Sequence, residues 1–174
     1  MIKLTELKNA IKKNRIMNMF YNEGVVKNLF SYNNRCIVSL EKMDIEKLYK
    51  HLQNENIVNV NLEFNKTYIN DNLINTFEKF KTECKKDNFL VDTNIVFKQE
   101  IGFNSVEYRL LKSKNGLFKL ETELIKFLDY SKLVLYTNED SNNLVYIFND
   151  FNDFMGFCMI EKCSKEELMS LLEL

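Results

Sequence analysis

The chain has 174 residues, of which 45% are hydrophobic, and its formal net charge is −1. This length and composition are typical of one globular domain and exclude a disordered or fibrous protein. The sequence has no apolar run near the roughly 20 residues that a membrane-spanning helix needs, and its N-terminus lacks the apolar core of a signal peptide. We therefore predict a single cytoplasmic domain spanning residues 1–174.

The composition is rich in asparagine and lysine and poor in several other residue types. The chain contains 24 Asn and 21 Lys but only 3 Arg and 1 Ala, and it lacks Pro and Trp. Codons for Asn and Lys are A-rich, so an AT-rich source genome is the simplest explanation. Individual asparagines are therefore weak evidence for a binding site.

Four cysteines are too few for a disulfide framework in a chain of this length, and none forms a C-x-x-C pair. Cys158 falls in an apolar run and Cys84 on the inner side of a predicted helix, where free cysteine behaves as a small hydrophobic residue. With a single histidine in the chain, a zinc site is not expected. We predict buried or incidental thiols at Cys36, Cys84, Cys158 and Cys163.

The N-terminal part of the chain predicts a helix followed by a hairpin. Thr5 is a suitable N-cap for an amphipathic helix that continues to about Phe20. Residues 25–32 and 35–40 read as two strands, since the intervening Asn33-Asn34 pair tolerates the left-handed backbone of a tight turn.

The next segments predict two helices and a half-buried strand. Asp44 is an N-cap for a short helix, and residues 57–64 alternate strictly between apolar and polar side chains, as a strand with one wet face does. Asn70 or Asp71 begins another helix, which ends in the polar run at residues 85–88.

A second hairpin is predicted from residues 94–100 and 104–111, with its turn at residues 101–103. After the Asn115-Gly116 turn, leucines recur at helical spacing between residues 117 and 128. This spacing favours a helix up to Tyr130, with a strand as the competing interpretation.

The organising segment is residues 132–161, which reads as neighbouring antiparallel strands. Residues 133–136, 144–148 and 154–160 are apolar at consecutive positions, so both faces of these strands must be covered. Ser164 and Glu167 form the sequence of a capping box, which begins a C-terminal helix. The fold class we predict is α+β: one mainly antiparallel sheet of about 6 to 8 strands packed with about 4 to 5 helices.

Charge is polarised along the chain. Residues 1–35 carry a net +5 and residues 139–174 a net −6. The acidic segment suits a basic protein partner, including a nucleic-acid-binding one, whereas direct binding of nucleic acid is not predicted. The basic first helix is the alternative surface, and a homodimer is an open alternative for the uncovered strands. The candidate binding residues are acidic: Glu139, Asp140, Asp150, Asp153 and Glu161.

A metal site is the alternative for the second hairpin. The order Asp92, then Glu107-Tyr108-Arg109, is similar to the acid, acid-x-lysine layout of metal-dependent nucleases, in which two carboxylates hold Mg²⁺. Arginine stands where lysine is usual, and arginine does not give up a proton. A cross-strand ion pair is the simpler interpretation.

No other pattern indicates catalysis. His51 is the only histidine, and the chain has no G-x-S-x-G, glycine-rich phosphate loop or H-E-x-x-H motif. The Asn149-to-Asp153 turn fails the calcium-loop pattern, because Phe154 occupies a ligand position. We predict neither an enzyme nor a cofactor.

The function that these observations favour is a non-catalytic protein-binding module. Small chains of this kind are common in phages and mobile elements, where many inhibit a host defence nuclease, so an anti-CRISPR-like inhibitor is the specific hypothesis. An immunity protein or antitoxin is one alternative, and a metal-dependent enzyme that cleaves nucleic acid is the other.

Overall fold

The protein was analysed as a computed structural model, which describes residues 2–14, 18–22, 25–32, 35–40, 47, 71–138 and 143–172. These residues form four α-helices and ten strands. The helices are α1 (Leu4–Asn14), α2 (Asp71–Glu83), α3 (Thr122–Ile125) and α4 (Lys165–Leu172). The strands are β1 (Asn18–Asn22), β2 (Val25–Tyr32), β3 (Cys36–Leu40), β4 (Asn88–Ile101), β5 (Asn104–Ser113), β6 (Gly116–Glu121), β7 (Leu133–Thr137), β8 (Leu144–Asn149), β9 (Phe154–Met159) and β10 (Glu161–Lys162).

The strands form one antiparallel sheet in the order β1-β2-β3-β9-β8-β7-β4-β5-β6-β10. Ile160 alone separates β9 from β10, yet β9 pairs with β3 and β8 while β10 pairs with β6. The sheet therefore curls back on itself, and the strands from β9 through β4 to β6 and β10 close into a ring. Closure of this kind protects strand edges that would otherwise be exposed.

The interior of the ring is apolar and is capped by helices. Leu7 of α1 and Leu124 of α3 are fully buried in it. Burial of such side chains contributes about 2 kcal/mol each to stability. Each strand of the ring except β10 contributes at least one side chain to this cluster: Leu90, Leu111, Leu120, Leu135, Ile147 and Cys158.

The outer face of the central strands packs against α2. Phe77 and Phe80 of this helix contact a second apolar cluster, where the Phe80 and Phe157 rings meet edge to face at 4.6 Å. Both faces of β7, β8 and β9 are thus covered. This confirms the prediction made from their consecutive apolar residues.

The fold class predicted from the sequence is wrong in its balance of helix and strand. The sheet has ten strands where about 6 to 8 were expected, and the described residues hold four short helices. The protein is sheet-dominated. The cause is that segments with helical side-chain spacing, or with too few residues to show any spacing, pair with other strands, and this pairing overrides the local pattern.

Two helix predictions illustrate this. The first helix ends at Asn14, and β1 occupies residues 18–22, of which residues 18–20 were predicted to belong to that helix. Residues 116–121 form β6, so the competing strand interpretation is confirmed there and only residues 122–125 are α-helical. Pairing of β6 with β5, which buries Phe118 and Leu120, outweighs the local helical spacing.

Several local predictions are confirmed. The hairpins β2-β3, β4-β5 and β7-β8 form as expected, and α2 begins at Asp71. Ser164 and Glu167 make the reciprocal bonds of a capping box at α4. The predicted Asp44 helix, the strand at residues 57–64 and His51 lie outside the described residues.

The prediction of four free thiols is wrong for one pair. Cys36 and Cys158 lie opposite each other on β3 and β9 and form a disulfide, whereas Cys84 and Cys163 are free. The bonded cysteines are 122 residues apart, so their contact depends on the strand order and leaves no local signal in the sequence.

A two-stranded arm, residues 96–107, extends beyond the paired parts of the sheet. On one face it contacts α4 and β6, because Gln99 donates a hydrogen bond to Glu167 at 3.3 Å and accepts one from Lys119 at 2.9 Å. β4 pairs with β7 only at residues 88–90, and β5 pairs with β6 only at residues 108–113. Beyond these points β4 and β5 pair only with each other within the described residues. The arm therefore has two strand edges without a neighbour in the described part of the chain.

No helix in the described part of the chain is both long and apolar enough to cross a membrane.

Candidate functional site

Three of the acidic residues predicted to bind a partner lie in the described part of the chain, and they do not form one patch. Asp150 and Asp153 lie in the turn between β8 and β9, where the Asp153 side chain accepts a hydrogen bond from Asn149 Nδ2 at 2.9 Å. Glu161 lies beyond the other end of β9 and pairs with Lys119 at 3.1 Å. Asp153 and Glu161 are eight residues apart along an extended segment, which places them about 26 Å from each other. Glu139 and Asp140 lie outside the described residues.

The two candidate metal ligands are also apart. Asp92 accepts a hydrogen bond from Arg109 Nη1 at 2.7 Å, which is the ion pair that the simpler interpretation predicts. Asp92 lies opposite Leu111, and Glu107 is four residues further along β5, or about 13 Å away. The described residues contain no group of three His, Cys, Asp or Glu side chains placed to hold a metal ion.

A different group of glutamates lines a cleft of about 500 Å³ beside the arm. β6 ends at Glu121, opposite Tyr108, and the chain turns away into α3, while β5 extends past this point to Asn104. The gap between the β5 extension and α3 is the cleft. Its lining comes from both segments: Asn104, Ser105, Val106, Glu107, Glu121, Thr122, Glu123 and Lys126.

The cleft is negatively charged. Glu107, Glu121 and Glu123 face one basic residue, Lys126, whose ammonium lies 3.6 Å from Glu6. Glu121 also forms an ion pair with Arg35 outside the cleft. A concave surface lined mostly by one sign of charge attracts ligands of the opposite sign, which here means cations.

The backbone adds hydrogen-bonding capacity to the cleft. Residues 104–107 of β5 have no strand neighbour on the cleft side within the described residues. Their N–H and C=O groups on that side can therefore bond to a ligand. The Thr122 hydroxyl oxygen is too buried to contact one.

A second polar cluster lies where α4 packs on the sheet. The Lys119 side chain is 7% exposed and its ammonium donates to Glu167 at 2.5 Å and to Gln99 at 2.9 Å. Burial alone would lower the pKa of Lys119, but the hydrogen bonds to Glu167 and Glu161 outweigh it and raise the pKa. This lysine therefore stays charged and is not a nucleophile.

The neighbouring thiol is unreactive as well. Burial, with Glu167 nearby, raises the pKa of Cys163 to about 11. A thiol with such a pKa is protonated at neutral pH, and the thiolate is the reactive form. This cluster holds α4 against the sheet, and the cleft is the better candidate for a binding site.

Sequence reasoning found Glu107 but missed Glu121 and Glu123. The signal available was the Glu-Thr-Glu pattern at residues 121–123, which follows an apolar strand. It was overlooked because these residues were assigned to a continuous helix, where the carboxylates would lie on a solvated face.

Comparison of the chain with protein-family models, curated proteins and solved structures found no match.

Proposed function

We propose that the protein is a non-catalytic binding module that takes an extended, basic segment of a partner protein into the cleft. The observation that carries this proposal is the edge of β5 at residues 104–107, which has no strand neighbour within the described residues and lies beside three glutamates. An extended peptide can add a strand to such an edge through main-chain hydrogen bonds, and its side chains then give specificity.

The charge of the cleft selects the class of partner. Lysine or arginine side chains of the added strand would face Glu107 and Glu123. Glu123 also accepts a hydrogen bond from the Tyr32 hydroxyl at 3.4 Å, and Glu121 pairs with Arg35. Nucleic-acid-binding proteins carry basic surfaces of this kind, so a partner from that class is favoured. Within this class, inhibition of a host defence nuclease stays a prediction, as do the immunity-protein and antitoxin alternatives.

The proposal is tested with a fluorescein-labelled peptide of alternating lysine and valine, whose binding is followed by fluorescence polarisation at low salt. We expect the double variant Glu107→Gln with Glu123→Gln to bind about tenfold more weakly than the unaltered protein. Binding of the unaltered protein should also weaken as salt is raised, because the attraction is screened. N-methylation of alternate peptide nitrogens should abolish binding, since it removes the main-chain donors.

The matched control is Asp150→Asn with Glu166→Gln, which removes the same charge from exposed residues outside the cleft. This control should bind the peptide as the unaltered protein does. If the control loses affinity and the cleft variant does not, the interface lies at the β8-β9 turn or on α4, and the proposal is wrong.

The metal-dependent nuclease hypothesis makes an opposite prediction that can be measured separately. A metal held by Asp92 would raise the melting temperature at millimolar Mg²⁺ or Mn²⁺, because a ligand that binds only the folded state stabilises it. Since Arg109 already donates a hydrogen bond to the Asp92 carboxylate, we expect no change in the melting temperature. A rise that Asp92→Asn abolishes would favour the nuclease.

A further inference from the structure

The β4 edge of the arm lies opposite the β5 edge that borders the cleft, and it is open too. Within the described residues, β7 leaves β4 after residue 90, and only β5 pairs with residues 96–101. A register irregularity between Asp92 and Val96, with Asn94 in a left-handed conformation, separates this segment from the rest of β4. Such bulges turn a strand away from its sheet.

Apolar side chains are concentrated along this open edge. Val96 is 44% exposed and Ile101 is 49% exposed, while Phe103 in the turn is fully exposed. Soluble proteins avoid long, open, apolar strand edges because these pair with other chains. We therefore expect a strand of another chain to pair with this edge.

The sequence of this edge is complementary to itself. If two copies of β4 pair antiparallel about a two-fold axis at Gln99, Lys98 of each copy lies opposite Glu100 of the other, and Phe97 lies opposite Ile101. Opposite charges and apolar residues that face each other across strands are both stabilising. Moving the axis by one residue, to Lys98 or Glu100, sets like charges opposite each other.

We propose that the β4 edge, from Val96 to Gly102, pairs with the same edge of a second copy of this chain, with Gln99 at the two-fold axis. The contact joins the two sheets into one, as expected of a self-complementary two-fold interface. It leaves both clefts free, because each cleft borders the β5 edge of its own arm. The proposed dimer and the proposed binding function can therefore be tested independently of each other.

The first test is the mass in solution, measured by sedimentation equilibrium of the full chain at micromolar concentrations. We expect twice the mass of one chain. If the mass is that of one chain at every concentration, the proposal is wrong, and the edge would be available to a strand of a different protein.

The second test reads the register directly by cysteine cross-linking. Lys98→Cys and Glu100→Cys are prepared as separate variants and mixed under oxidising conditions. Residues opposite each other on antiparallel strands have Cα atoms about 4.5–5.5 Å apart, which is within reach of a disulfide. We expect a cross-linked dimer in the mixture and none with either variant alone, which also controls for the native cysteines.

Each cross-linking outcome decides the register. A dimer that forms the disulfide only in the mixture supports pairing at Gln99. Cross-linking by Lys98→Cys alone would move the axis to Lys98, and a dimer with no cross-link in any combination would place the interface elsewhere. Lys112→Glu, an exposed charge reversal on β5, should leave the mass unchanged.

Discussion

Replacement of Gly156 by alanine is expected to lower the free energy of unfolding by about 3 kcal/mol or more. A Cβ atom at this position would lie 2.0 Å from the Ile37 carbonyl oxygen and 2.7 Å from Val38 Cα. These are backbone atoms of β3, which cannot move aside without breaking the pairing of β3 with β9. The φ angle of Gly156 is +155°, a conformation that alanine rarely adopts.

The matched control is Gly116→Ala at the start of β6, outside the proposed dimer contact. Gly116 also has a positive φ, +131°, but its added Cβ would meet only the flexible end of the Lys162 side chain, at 3.3 Å. This variant therefore measures the conformational cost without a backbone clash, which is about 2 kcal/mol. Urea unfolding of both variants measures the difference. Equal destabilisation of the two would show that β3 and β9 do not approach as closely as described.

The parts of the fold that could be predicted from sequence are those with a strong local pattern. Consecutive apolar residues in β7, β8 and β9 identified strands buried on both faces, because such a pattern suits neither a wet sheet face nor an amphipathic helix. Asn33-Asn34 and Gly102 marked two hairpin turns, and Ser164 with Glu167 marked a helix start.

The parts that were missed depend on which strands meet, whether these are neighbours or distant along the chain. β6 reads locally as a helix, and β10 has only two residues, so pairing of these strands with each other and with β5 determines their conformation. The Cys36–Cys158 disulfide and the closure of the ring have the same origin. Pairing between strands that are far apart in the sequence depends on the whole chain, so short segments of the sequence do not predict it.

The candidate site was missed for a related reason. Glu107 and Glu123 lie on segments that become neighbours only because β6 ends opposite Tyr108, so that residues 104–107 of β5 face α3. Charge counting along the chain pointed instead to the acidic C-terminal third, where Glu161 turned out to neutralise Lys119. Net charge in a segment predicts a surface only when its side chains face solvent together.

Removal of the Glu167 side chain is the second change expected to have a large effect. Glu167→Ala leaves the ammonium of Lys119 buried with only the half-exposed Glu161 as an acidic partner, and it also removes the Glu167 half of the capping box. Breaking a buried ion pair in this way costs about 3 kcal/mol. Glu166→Ala, at the exposed neighbouring position of the same helix, should cost less than about 0.5 kcal/mol.

The reciprocal variant should behave differently. Lys119→Met removes the buried charge itself and leaves Glu167, which is 29% exposed, in contact with water. Replacing a buried ion by an apolar side chain of similar volume is often close to neutral, so Lys119→Met should be less destabilising than Glu167→Ala. Urea midpoints at neutral pH give the comparison. A larger loss for Lys119→Met would mean that the ion pair itself stabilises the fold.

The same ion pair makes stability depend on pH with a defined sign. The hydrogen bond from Lys119 lowers the pKa of Glu167 below its usual value of 4.5, so the folded state favours the carboxylate. Its contribution is fully present above pH 4.5 and is lost as pH falls through the lowered folded pKa. Glu167→Ala should therefore destabilise the protein less at pH 3 than at pH 7, whereas Gly156→Ala, which removes no charge, should cost the same at both. If Glu167→Ala destabilises the protein equally at pH 3 and at pH 7, the lost stability comes from the packing of α4 and not from the ion pair.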